Sequence, residues 1–179
     1  MRIISGTYKG KRLTAPKKLP VRPTTDFAKE ALFNIFRTRI HFNEISVLDL
    51  FSGTGNICFE FASRGVEKLT AVDAHFGCVN YIRKISEELS FPITAVKSDV
   101  NKYLNTASQK FDIIFADPPY DFTTDQLESI VNGVFDNNLL EEDGTLVIEH
   151  FKQNDISHLK HFSEVRKYGG SVFSFFIQE

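Results

Sequence analysis

Asp117-Pro118-Pro119-Tyr120 follows directly on the apolar run Phe111 to Ala116, and no other stretch of the chain is as easily read as chemistry. The run reads as a buried strand. Two consecutive prolines fix φ and remove two backbone donors, so neither helix nor sheet continues through them. The stiff loop holds the Asp117 carboxylate, the neighbouring carbonyls (that of Pro118 among them) and the Tyr120 ring in one arrangement. A flat target carrying an amino group can lie on the ring and donate its hydrogens to those oxygens. For the tetrapeptide taken alone, the alternative is a rigid turn after a core strand.

A second constellation is Val47-Leu48-Asp49-Leu50-Phe51-Ser52-Gly53-Thr54-Gly55, a strand running into a glycine turn and then a helix. Gly53 and Gly55 permit a tight turn and the close approach of a ligand to the backbone. A dinucleotide fingerprint would need its third glycine where Cys58 stands, and nothing supplies a pyrophosphate cradle. Asp49 suits instead a ligand carrying a positive charge and an amino group, as S-adenosylmethionine does. Asp73 closes the next apolar run and could accept from both ribose hydroxyls; Asp99, after the third, could meet an adenine amino group. Singly, each acid reads as a helix cap or a solvated loop residue. Three acids at successive strand ends, on the carboxyl edge where such sheets bind ligands, read as a nucleoside site.

The elements that would position these groups alternate. Strands are predicted at Ser46 to Phe51, Leu69 to Val72, Ile93 to Lys97, Phe111 to Ala116 and Gly144 to Glu149. Helices are expected over Asn56 to Arg64, Phe76 to Leu89, Val100 to Leu104 and Thr124 to Phe135. Strands apolar on both faces and alternating with helices imply a parallel sheet covered on both sides. Ser163 to Tyr168, Gly169-Gly170 and Ser171 to Ile177 read as a terminal hairpin that gives the sheet an antiparallel edge. Upstream, Arg2 to Ser5 and Lys11 to Thr14 suggest a small hairpin. A proline-bearing segment follows to Thr24, then a helix capped by Thr25 or Asp26 and reaching about Ile40, with Ala28, Ala31, Leu32 and Ile35 on its apolar face.

The chain has 179 residues, eighteen of them Phe and none Trp, which fits one domain. No apolar stretch approaches the roughly 20 residues that span a bilayer, and the first residues lack the apolar core of a secretory signal, so a cytoplasmic protein is expected. Cys58 and Cys78 show no metal-ligand spacing and read as reduced, buried thiols, and no metal is expected. The net charge of −2 conceals an asymmetry: residues 1–39 carry ten Lys or Arg against only Asp26 and Glu30. A basic arm on an acidic body suggests a polyanionic partner engaged through one end, with a solvated tail as the alternative. Lys9, Lys11, Arg12, Lys17, Lys18 and Arg22 are its candidate phosphate contacts. Arg22 and Thr24 could instead line the cofactor or target pocket.

Together these residues resemble a class I S-adenosylmethionine-dependent methyltransferase from about Ser46 to the C-terminus. The tetrapeptide matches the D/N-P-P-Y/F signature of members that act on amino nitrogens. The terminal hairpin fits the reversed last strand of that fold. Gly6-Thr-Tyr-Lys-Gly-Lys-Arg-Leu13, Arg22-Pro-Thr-Thr-Asp26 and Glu30-Ala-Leu-Phe-Asn-Ile35 further resemble the bacterial small-subunit ribosomal RNA guanine-N2 methyltransferases of the RsmD type, extending the resemblance over nearly the full chain.

The resemblance implies a Rossmann-like α/β fold: a mostly parallel seven-stranded sheet with an antiparallel last strand, plus an N-terminal hairpin and basic arm. One methyltransferase domain would then span residues 1–179, with the arm and its helix in 1–40 and the core in 46–179. It implies one methyl transfer from S-adenosylmethionine to the exocyclic amine of a guanine in 16S ribosomal RNA, of the guanine-966 type. The substrate would be an assembled or assembling small subunit, and the enzyme a monomer without metal or membrane. Asp117, Pro118 and Tyr120 are then the catalytic candidates; Asp49, Phe51, Gly53, Gly55, Asp73, Asp99 and Asp117 are the cofactor candidates. His150, at the end of the fifth strand, departs from what would be chosen there and reads best as a satisfied structural histidine. Rival readings are a DNA or RNA adenine-N6 methyltransferase, a protein-glutamine methyltransferase, a non-catalytic RNA-binding module and an NAD-dependent oxidoreductase.

Overall fold

Apolar runs too short for helices and buried on both faces must pair with one another, and here they do so in one sheet. The computed structural model of the protein describes residues 1–19 and 24–178. The strands are β1 (Ser46–Leu50), β2 (Lys68–Asp73), β3 (Ile93–Lys97), β4 (Phe111–Ala116), β5 (Leu140–His150), β6 (Phe162–Tyr168) and β7 (Ser171–Ile177). Their order is β3-β2-β1-β4-β5-β7-β6, with the first five parallel and β7 antiparallel to both neighbours. The terminal hairpin thus supplies a reversed seventh strand, inserted between β5 and the edge strand β6. The fifth strand starts earlier than expected, at Leu140 rather than Gly144, because Leu140 pairs with Phe111. Exposed Glu141, Glu142 and Asp143 had disguised that start as loop.

The helices are α1 (Asp26–Arg37), α2 (Asn56–Ser63), α3 (Phe76–Leu89), α4 (Val100–Thr106) and α5 (Thr124–Asp136). α1, α2 and α3 cover one face, meeting Val47, Ala71, Phe115 and Val147; α4 and α5 cover the other, meeting Leu48, Val72, Ala116 and Ile148. Successive side chains on a strand point to opposite faces. Asp49, Asp73, Asp117 and Glu149 each stand two residues beyond one of the first set, so parity sends all four carboxylates to the α1–α3 side. Much of the Phe content sits there too: Phe33 packs against Phe61 at 4.6 Å between ring centroids, with the Arg64 guanidinium 4.6 Å from the Phe33 ring. α1 is shorter than expected and its cap is Thr25, whose hydroxyl accepts the Ala28 N–H.

The N-terminal hairpin is small. Arg2 bridges Arg12, and Ile3 N–H donates to the Lys11 carbonyl at 3.0 Å. It docks on helix C-termini, where carbonyls lack intrahelical partners: Thr7 N–H bonds the Ser63 carbonyl at 2.7 Å, and the Tyr8 hydroxyl bonds the Leu89 carbonyl at 2.9 Å. In a parallel sheet these C-termini lie at the opposite edge from the acids. From there the arm runs back along the helices, since a Cβ at Gly77, in the first turn of α3, would meet Leu19 Cδ2 at 2.7 Å. Gly6 is indispensable to the docking: its φ is +84°, and a Cβ there would sit 1.8 Å from the Ser63 carbonyl oxygen. Gly10 has φ +86° but open space around it. We therefore expect Gly6→Ala to lose about 2–4 kcal/mol in urea unfolding, against about 1–2 kcal/mol for Gly10→Ala. Equal losses would mean that the hairpin does not seat on α2 as described.

Candidate active site

Parallel β1, β2 and β4 open at their carboxyl ends into a cavity of about 460 Å³. Its lining contains Asp49, Phe51, Gly53, Asp73, Asp99, Asp117, Pro118 and Tyr120, bringing together all but one of the cofactor and catalytic candidates. The exception is Gly55. With φ +82°, it stands at the N-cap of α2, and a Cβ there would meet the Phe59 ring at 2.9 Å. It therefore shapes the turn rather than the cavity wall.

Asp49 is 1% exposed, and its carboxylate accepts the Cys58 N–H at 3.1 Å, which ties the strand to the first turn of α2. Burial pushes its pKa up to about 8; the Cys58 hydrogen bond opposes the rise and the charge of Asp73 adds to it. Phe51 holds a left-handed φ of +56°, a conformation that costs a non-glycine residue about 1–2 kcal/mol. Its ring packs edge-on against Phe122 at 5.5 Å, and Phe122 N–H is anchored to the Pro119 carbonyl at 3.0 Å. The two halves of the site are thus pinned to each other.

Asp73 organises the glycine turn directly. Its oxygens accept the Gly53 N–H at 2.8 Å and the His75 N–H at 2.7 Å, and a carboxylate with two oxygens retains lone pairs for hydroxyl donors. Asp99 is exposed and caps α4, accepting the Lys102 N–H at 3.0 Å while lining the cavity. The residue thus caps α4 and lines the cavity at once.

At the tetrapeptide, Asp117 Oδ2 accepts from the Thr24 hydroxyl at 3.4 Å, and the same hydroxyl lies 3.4 Å from Glu149 Oε2. Loss of water raises the Asp117 pKa well above the usual carboxylate range; the charges of Glu149 and then Asp49 raise it further, against the Thr24 hydrogen bond. Pro118 is buried, and Tyr120 is 37% exposed with its ring 4.4 Å from that of Phe151. The arrangement joins an acid-lined nucleoside-sized cavity to an aromatic surface and a carboxylate acceptor.

His150 is turned to structure. Its ring nitrogens meet the Phe151 carbonyl and the Ser174 hydroxyl, both at 2.8 Å, so Nδ1 carries the proton and Nε2 accepts. Burial lowers its pKa. No group of His, Cys, Asp or Glu able to hold a metal ion occurs among the described residues. The basic candidates divide. Lys9 and Lys11 belong to the hairpin at the far edge, where Lys11 pairs with Glu88 at 3.6 Å. Exposed Lys17 and Lys18 precede Leu19 on the site side. Arg12 is exposed in the hairpin's second strand, and Arg22 lies outside the described residues.

Thr24, left open between RNA and pocket by sequence reasoning, is buried and lines the cavity. Asn56, Glu149 and Phe151 were missed. Glu149 carried a signal: a charge directly after the buried run Leu146 to Ile148. Asn56 and Phe151 carried none.

The family described as conserved hypothetical protein 95 matches residues 1–177. YlbH of Bacillus subtilis is 34% identical over 161 residues, which cover 87% of this chain and 85% of that protein. Ribosomal RNA small subunit methyltransferase D of Buchnera aphidicola is 30% identical over 161 residues, covering 89% of this chain and 79% of that one. Among solved structures, yhhF from Escherichia coli matches with a TM-score of 0.87 at 26% identity, over 100% of this chain and 98% of that chain.

The buried acid has a consequence for stability. Unfolded, Asp49 ionises near pH 4; folded, it does so at about pH 8. Between these values the folded protein binds the extra proton, so this group's contribution falls as pH rises from about 4 to about 8 and is level above. Asp49→Asn removes the titration and keeps an oxygen for Cys58 N–H. In thermal melts of ligand-free protein, the variant should gain on the parent between pH 5 and pH 8, by roughly 2–4 kcal/mol. A pH-independent difference would contradict the buried-acid description.

Proposed function

The chain belongs to the conserved hypothetical protein 95 family, the RsmD-type methyltransferases, and from that premise we propose that it methylates the exocyclic N2 of a guanine in 16S ribosomal RNA. The protein is an rRNA methyltransferase with S-adenosylmethionine as its cofactor. The observation that carries the proposed target is the carboxylate of Asp117, which lines one cavity together with Tyr120 and with the acids Asp49, Asp73 and Asp99. Guanine 966 as the position, a small subunit rather than naked RNA as the substrate, a monomeric enzyme and a cytoplasmic site of action belong to the same proposal. No helix among the described residues is long and apolar enough to cross a membrane.

The residues present fit the cofactor. Asp73 would hold the ribose hydroxyls, Asp99 the adenine amine, the Phe51–Gly53 turn the chain between them, and Asp49 would face the positive charge. Bound there, S-adenosylmethionine supplies an electrophilic methyl group on sulfur. Burial holds Asp49 and Asp117 toward neutrality, and a positive charge in the cavity favours their ionised forms.

The guanine N2 lone pair is delocalised into the ring and is a poor nucleophile. Hydrogen bonds from its two protons to Asp117 and the Pro118 carbonyl favour a tetrahedral nitrogen and aim its lone pair. Such alignment of two bound reactants removes several kcal/mol from a barrier. Methylation of that nitrogen would leave it carrying a positive charge. Asp117 stabilises that charge and takes the proton. Tyr120, backed by Phe151, stacks on the base, a contact worth about 1–3 kcal/mol that offsets part of the few kcal/mol needed to extrude it.

The test is transfer of a labelled methyl group to small subunits lacking the modification, with 16S RNA and duplex DNA alongside, followed by digestion to nucleosides. Label in N2-methylguanosine is expected; label in N6-methyladenine would keep the fold and overturn the target. In the same assay Asp117→Ala should lower kcat by roughly 10²–10³-fold, far beyond any loss of cofactor affinity by calorimetry. Near-parent turnover would remove Asp117 from the chemistry. The division of the basic residues predicts a second difference. Replacing Lys17 and Lys18 together by Ala should flatten the slope of log affinity for RNA against log salt by about 1.4–1.8, and replacing Lys9 and Lys11 should do so less. An unchanged slope in the first variant would remove Lys17 and Lys18 from RNA binding.

A further inference from the structure

A buried polar chain leads from the N-terminal hairpin to the target-facing carboxylate. Lys29 lies on the apolar face of α1 and is 1% exposed, Glu60 on α2 is 0%, Asn56 is 7% and Thr24 is 9%. Lys29 Nζ donates to the Arg2 carbonyl at 2.6 Å and to Asn56 Oδ1 at 2.8 Å, and stands 3.4 Å from Glu60 Oε2. The Glu60 oxygens also accept from Ile4 N–H at 2.8 Å, Ser5 N–H at 3.0 Å and Arg64 Nε at 2.9 Å. Asn56 Nδ2 in turn donates to the Thr24 carbonyl at 2.9 Å. The Thr24 hydroxyl ends the chain, its one proton shared between Asp117 Oδ2 and Glu149 Oε2 at 3.4 Å each.

Two features set this chain apart from ordinary packing. A fully buried Lys–Glu pair gives little stability over an apolar pair of the same volume, because desolvation offsets the attraction; what it does define is geometry. Geometry is what the far end requires. Asp117 and Glu149 project in adjacent register from β4 and β5, since Phe115 pairs with Val147 two residues earlier, and like charges so placed repel. The Thr24 hydroxyl lies between them, 3.4 Å from an oxygen of each. It engages Oδ2 of Asp117 and leaves Oδ1 without a hydrogen bond among the described residues, on a side chain that lines the cavity.

We infer that Lys29, Asn56 and Thr24 are positioning residues, through which the docked hairpin orients the Asp117 carboxylate toward the target amine. The inference rests on the amine-acceptor role given to Asp117 above. Asn56 holds the Thr24 backbone, Thr24 aims Asp117, and Lys29 fixes Asn56 to the hairpin. The arm is then part of the catalytic apparatus as well as a site for RNA.

Thr24→Val keeps the volume and removes the donor; Thr24→Ser keeps the donor. In single-turnover methyl transfer, Thr24→Val should fall at least tenfold with cofactor Kd unchanged by calorimetry, and Thr24→Ser should recover most of the loss. Asn56→Leu should also slow transfer, and the Thr24→Val/Asn56→Leu double variant should be no slower than Thr24→Val alone, because both act through one hydroxyl. Parent-like turnover in Thr24→Val, failure of Ser to rescue, additive losses, or a cofactor Kd that weakens in step with turnover would each overturn the inference. A second readout needs no substrate. Followed by carboxyl ¹³C resonances, Asp117 should titrate at higher pH in Thr24→Val than in the parent and return in Thr24→Ser, since that hydroxyl opposes the shift that burial, Glu149 and Asp49 impose. An unmoved titration would refute the chain even if the parent methylated no RNA, an outcome that would separately refute the proposed target.

Discussion

Like charge gathered out of water is the constraint around which the rest of this structure is arranged. Side-chain parity and the parallel register send Asp49, Asp73, Asp117 and Glu149 to one face and one edge of the sheet. Two of them, Asp49 and Glu149, are 1% exposed. Carboxylates so placed are destabilising unless hydrogen-bonded or faced by positive charge. Each local device answers that demand: Cys58 N–H on Asp49, Gly53 and His75 N–H on Asp73, the Thr24 hydroxyl between Asp117 and Glu149. Acids gathered in this way suit a ligand that arrives with a cationic sulfur and an ammonium group. Stability withheld from the protein becomes affinity and orientation for its cofactor, the usual relation between a strained site and its function.

The same constraint explains why the chain begins as it does. Thr24 reaches the acids only because α1 is fixed over α2, and α1 is fixed by Phe33, Phe36 and Phe61 packing and by Lys29. The hairpin completes the Lys29 site with a backbone carbonyl and the Glu60 site with two backbone N–H groups. Gly6 then lets the turn approach Ser63 closely enough to close the arrangement. An extension that would pass for a solvated basic tail is thereby joined to the cavity of the candidate site by buried polar contacts.

Much of this was legible in the residues. The alternation of apolar runs with amphipathic helices identified a doubly covered parallel sheet. Asp117-Pro118-Pro119-Tyr120 and the Asp49–Gly55 turn pointed to the segments that meet around one cavity, because backbone-restricting residues beside acids are local signals. What escaped was tertiary. Lys29 reads as a surface charge until the carbonyl of Arg2 is folded against it, and Phe151 reads as loop until its ring meets Tyr120. The early start of β5 was hidden by three exposed acids, although Leu140 alone holds the pairing with Phe111. The basic residues of the arm looked like one patch along the chain, yet folding sends Lys9 and Lys11 to the far edge from Lys17 and Lys18. Spacing in sequence carries no information about which end of a helix a returning strand will meet.

The central claim is spatial: one cavity seats the cofactor on Asp73 and presents a guanine amine to Asp117. A crystal structure of the protein with S-adenosylhomocysteine and guanosine tests it most directly. The account predicts the ribose hydroxyls within hydrogen-bonding distance of Asp73, the guanine ring on Tyr120, and its N2 within about 3 Å of Asp117 Oδ1 and the Pro118 carbonyl. A guanosine bound away from the tetrapeptide, or one that turns N2 away from Asp117, would contradict it.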